Sequence, residues 1–68
     1  MFRAVAWNKI SIIDGNEVGK MVISVEVEAA NVTEAMDKMQ VMASDWNREA
    51  DEKMQVNFIT CKGFIRNA

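Results

Sequence analysis

Few side chains in this chain are equipped for chemistry, and their spacing limits what they can do. Glu26 and Glu28 alternate within an apolar run, which sets two carboxylates on one side of an extended segment. Such a pair divides acid and base work only when its surroundings pull the two pKa values apart, and no neighbouring residue treats the two differently. Cys61 is the one thiol, and a thiol needs activation before it acts as a nucleophile. With no histidine and no tyrosine in the chain, the commonest general base is missing. Cys61 therefore reads as a half-buried thiol packed as a small hydrophobe. Asp45, Glu49, Asp51 and Glu52 lie among Arg48 and Lys53, the mark of a solvated, charge-laced surface. Glycines stand singly at 15, 19 and 63, so no phosphate-cradling loop is formed. The expectation is a non-enzyme without catalytic residues, metal site or cofactor.

The elements that carry these residues follow from two apolar rhythms. From Met21, the residues Met21, Ile23, Val25, Val27 and Ala29 alternate with Val22, Ser24, Glu26 and Glu28, the period of a strand with one buried face. From Val32 the spacing becomes three and four through Ala35, Met36, Met39, Met42, Ala43 and Trp46, the stripe of an amphipathic helix. Asn31 is its expected N-cap, with Glu34 placed to reach back to the cap and to pair with Lys38. The methionine stripe reads as core, closed by Trp46, and Asn47 to Lys53 as mostly polar connection. Phe2 to Ile13 is a first strand and Glu17 to Ala29 a second, turned at Asp14-Gly15-Asn16. Met54 to Cys61 is a third, which Phe64-Ile65 continues beyond a bulge at Gly63. The predicted fold is α+β: a single domain, 1–68, of ββαβ layout. Its three-stranded antiparallel sheet has order 2-1-3, with one helix packed on one face.

A two-residue turn, Asp14-Gly15 or Gly15-Asn16, sets even positions of the first strand beside odd positions of the second. Phe2, Ala4, Ala6 and Ile10 then join Met21, Ile23, Val25 and Val27 beneath the helix, with Phe58 packed there too. With the Gly15-Asn16 loop, Arg3 stands opposite Glu28. The other face carries Arg3, Val5, Trp7, Lys9, Val22, Glu26, Glu28 and Ile59. Nothing in the chain remains to cover it, and an apolar centre with a polar rim marks an interaction site. A three-residue loop, or a bulge at Gly19, reverses the parity and sends Trp7 into the core.

Composition narrows the partner. Half of the 68 residues are hydrophobic and the net charge is −2. A chain this short buries only about 60% of the surface its unfolded form exposes, which favours support from a second subunit, a homodimer. The mild negative charge argues against nucleic acid as partner, and no apolar run is long enough to cross a bilayer. One cysteine makes no internal disulfide, and the opening residues lack a signal-peptide layout, so the expected compartment is the cytoplasm.

The run Val22 to Ala43, a strand leading into a capped helix, resembles segments of small phage and mobile-element proteins, among them some anti-CRISPR proteins. It covers about a third of the chain and holds no functional motif. The resemblance implies a stoichiometric inhibitor of a host or defence protein, acting in the host cytoplasm. The leading expectation is a non-catalytic module that binds a protein. The alternatives are a single-strand nucleic-acid binder stacking bases on the open sheet and a self-associating structural subunit.

Overall fold

Asp14 and Gly15 both take positive φ, 52° and 80°, the backbone of a two-residue type I′ hairpin turn. They join β1 (Phe2–Ile13) to β2 (Asn16–Val27) in the computed structural model. That structure describes the backbone of all 68 residues and the side chains of all but 9–13 and 16–18. Phe2 pairs with Val27 and Ala6 with Ile23, so even positions of β1 do share a face with odd positions of β2. Because the Asp14-Gly15 turn forms, Arg3 stands opposite Glu26 and not Glu28. An Asp-Gly pair suits the two left-handed positions better than Gly-Asn would in the neighbouring register.

The ladder shifts twice. Ala6 pairs with Ile23 but Trp7 with Met21, which leaves Val22 as an extra residue on β2. A second shift, between Asn8 and Ser11 opposite Gly19, restores the original phase. Between the two, Met21 is carried across the sheet to lie beside Trp7, 56% exposed. This corrects the expectation that Met21 packs beneath the helix. Ile10, placed there with it, lies outside the described side chains.

Asn31 caps α1 (Val32–Glu49), its side chain accepting the Glu34 N–H at 2.9 Å. Glu34 reaches back to the Ala30 N–H at 3.4 Å, one residue before the expected one, and pairs with Lys38 at 3.5 Å. The helix runs past Trp46 to Glu49 because its last turn is tied to the chain that follows. Trp46 Nε1 donates to the Met54 carbonyl at 2.8 Å, and Gln55 Nε2 to the carbonyls of Asn47 and Ala50 at 2.9 and 2.6 Å.

The expected third strand begins later than its alternation suggests. Glu52–Met54 is a 3₁₀ turn capped by Asp51, and only β3 (Phe58–Cys61) joins the sheet. Between them, the Asn47 side chain takes both backbone groups of Val56, its N–H at 2.7 Å and its carbonyl at 2.9 Å. One amide thus replaces the neighbouring strand that Val56 lacks. Gly63 is no bulge. Lys62 and Gly63 hold φ of 48° and 84°, a second two-residue turn, and β4 (Phe64–Asn67) returns antiparallel to β3. The sheet is four-stranded with order β2-β1-β3-β4, where three strands had been expected. The architecture is ββαββ, α+β with one helix and an antiparallel sheet.

The core lies between the helix and this sheet. Ala4 and Ala6 of β1 and Ala35 and Ala43 of α1 are buried, so both layers present small residues where they meet. Met39, Ile59 and Cys61 are the largest side chains fully buried there. Cys61 is deeper than the half-burial expected of it.

Candidate functional site

The open side of the sheet is set by the pairing of its two central strands. Val5 pairs with Thr60 and Trp7 with Phe58, opposite in sense to the buried pairs Ala4–Cys61 and Ala6–Ile59. Val5, Trp7, Phe58 and Thr60 therefore form one patch on the face away from the helix, all partly exposed. The indole is held by its edge: Trp7 Nε1 donates to Thr60 Oγ1 at 2.8 Å. Met21 beside Trp7 and Ile65 beside Thr60 extend the patch, and they are 56% and 55% exposed. At the rim, Arg3 reaches Glu26 at 3.2 Å and Ser24 at 3.4 Å.

Of the residues assigned to this face from sequence, Arg3, Val5, Trp7 and Glu26 are brought together. Val22 is the bulged residue, half-buried and packed against the core. Lys9 lies outside the described side chains. Glu28 falls past the end of β2 and is exposed, and its carbonyl accepts from Lys38 Nζ at 2.6 Å. Ile59 is a correction: it is 0% exposed, on the helix side. Phe58, expected in the core, takes its place on the open face. The alternation Met54, Val56, Phe58 does not carry through, because residues 54–57 are not a strand. Phe58, Thr60, Met21 and Ile65 were missed. Phe58, Ile59 and Cys61 put apolar residues on both sides of β3, so only the pairing with β1 tells which faces the helix.

Cys61 is a free thiol buried beneath the helix, out of reach of a substrate. Among the described residues no group of three His, Cys, Asp or Glu is gathered as metal ligands. No helix among them is long and apolar enough to cross a membrane. Compared with protein-family models, curated proteins and solved structures, the chain matches none.

Proposed function

We propose that the chain is a non-catalytic binding module that docks a protein partner on the open face of its sheet. The carrying observation is the patch of Val5, Trp7, Phe58, Met21 and Ile65, which no described element covers and which a polar rim borders. Trp7 is the energetic anchor, since buried aromatics near the centre of an interface dominate its energy. The ring is already fixed by Thr60, so little rotamer freedom is lost on docking. The resemblance of Val22 to Ala43 to phage-protein segments makes a host or defence protein, held in a stoichiometric complex, the partner of choice. Wild type and Trp7→Ala, immobilised and exposed to a bacterial lysate, test this. The expected result is a partner retained in near-equal amount by wild type and released by the variant, whose circular dichroism is unchanged. The loss corresponds to ~2 kcal/mol or more. A folded variant that keeps the partner removes the open face from the function, and an unfolded one places Trp7 in the core.

A second reading has one observation in its favour. Trp7 and Phe58 are cross-strand neighbours on the two central strands, an arrangement on which unpaired bases stack. The acidic Glu26 at its rim and the net charge of −2 oppose a phosphate backbone, which keeps this reading second.

A further inference from the structure

The sheet has two free edges, the long β2 and the short β4. α1 lies over β1 and β3 and barely meets β2. A groove of about 730 Å³ therefore stays open between β2 and the last turns of the helix, floored by Ile23, Met42, Trp46 and Met54. Met42 and Trp46 leave 37% and 40% of their surface exposed there. The Trp46 ring is fixed through its bond to the Met54 carbonyl, so the wall stands before anything binds. Asp45, Glu49 and Asp51 border the groove. Asp45 is met by Arg48 at 3.7 Å, and Asp51 accepts the backbone N–H groups of Lys53 and Met54. Glu49 has no protein partner among the described residues. Beside this groove β2 runs from Ile23 to Val27 without a register shift, and an edge strand turns unpaired N–H and C=O groups outward.

A free edge beside an apolar floor and an acidic border suits an extended segment of one kind. It carries a bulky apolar residue facing the groove and a cation two positions away, because alternate residues of a strand share a face. The other edge of this same sheet has that pattern in Phe64 and Arg66: Phe64 is 62% exposed, and Arg66, two positions on in β4, meets Asp37 at 2.6 Å and Gln40 at 3.0 Å within its own copy, while Lys62 precedes β4 in the turn. Phe64 and Arg66 pair with Cys61 and Ile59, both buried beneath the helix. They thus lie on the side of the sheet where the groove opens. Every neighbouring pair in the sheet is antiparallel. A second copy set alongside in the same orientation therefore brings its β4 antiparallel to β2.

We propose that β4 of a second copy adds to the free edge of β2, with Phe64 in the groove and Arg66 exchanging Asp37 for Glu49. The contact is head-to-tail, so each copy added leaves a free edge at either end, and growth does not stop at two. It uses the layer opposite the open face and stands independently of the protein-docking reading. Sedimentation velocity from micromolar to near-millimolar protein tests it. Mass should rise past that of a dimer with concentration and fall with added salt. Phe64→Glu and Met42→Glu, both at exposed positions, should keep the wild-type circular dichroism and weaken association by about 30-fold or more. Trp7→Ala should leave it unchanged. A monomer at every concentration overturns the proposal. So does a dimer that stops at two, or association that survives both glutamates or is lost in Trp7→Ala alone.

Discussion

Met39 shows how little slack the core has at the level of one side chain. It is 0% exposed, and among the described residues no buried polar or charged side chain is there to receive a charge. Met39→Asp forces a carboxylate into apolar surroundings, a penalty of several kcal/mol unless the group takes up a proton. Small domains hold only about 5–15 kcal/mol in total, so the variant should be unfolded at neutral pH by circular dichroism. Met39→Leu conserves volume and should cost less than about 1.5 kcal/mol. A folded Met39→Asp protein with the wild-type melting temperature would mean that α1 presents another face to the sheet. Asn47 lies at the opposite extreme of legibility. Nothing in sequence distinguishes it from the other polar residues after Trp46, yet it bonds both backbone groups of Val56. Such a role is created by where the returning chain passes, and composition does not record that.

Among the elements, the two hairpins rest on the same turn geometry. At Gly63, with φ of 84°, a Cβ would meet nothing within 4 Å, so the strain in Gly63→Ala is purely that of the backbone. A left-handed conformation costs an L-residue about 1–2 kcal/mol. For a domain of this size, 1 kcal/mol lowers the melting temperature by roughly 4–8 °C. A thermal melt that does not move would argue against the turn and the strand it begins. The first hairpin was legible because Asp14-Gly15 sits between two long alternating runs. The helix was legible because the apolar period changes after Asn31. The second hairpin was not, since Lys62 is a poor advertisement for positive φ and its strands are only four residues each. Strands that short give too few alternations to assign a face, so Phe58 and Ile59 were exchanged. The open face was readable in β1, where Val5 and Trp7 alternate with Ala4 and Ala6, but not in β3.

The whole molecule measures 36 × 30 × 15 Å. Its thin dimension leaves room for one helix layer on one sheet layer, given ~10 Å between packed layers, and thus for only one buried interior. Electrostatics at this scale bear on the nucleic-acid reading. Among the described residues, Arg3, Lys38, Arg48 and Arg66 are each within 4.0 Å of a carboxylate, so at least half of the 8 basic residues are partly neutralised. Tight phosphate binding needs several free cations acting together. Fluorescence anisotropy with mixed-sequence single- and double-stranded oligonucleotides should therefore show no submicromolar binding at physiological salt. Salt-sensitive binding below that level would promote the Trp7–Phe58 platform to the leading role.

The position of β1 at the centre of the sheet has a kinetic consequence. Its first partner, β2, is a local hairpin neighbour, but its second is remote: Trp7 and Thr60 are 53 positions apart. Closing so long a loop carries an entropic penalty before any contact repays it, and non-local pairings of this kind slow folding. On a ribosome, β1 is made early and must wait for β3 to emerge before its second edge is covered. Until then the nascent hairpin shows both the alanine face meant for the helix and the edge meant for β3. Its first competitor during synthesis is whatever else binds an unpaired strand.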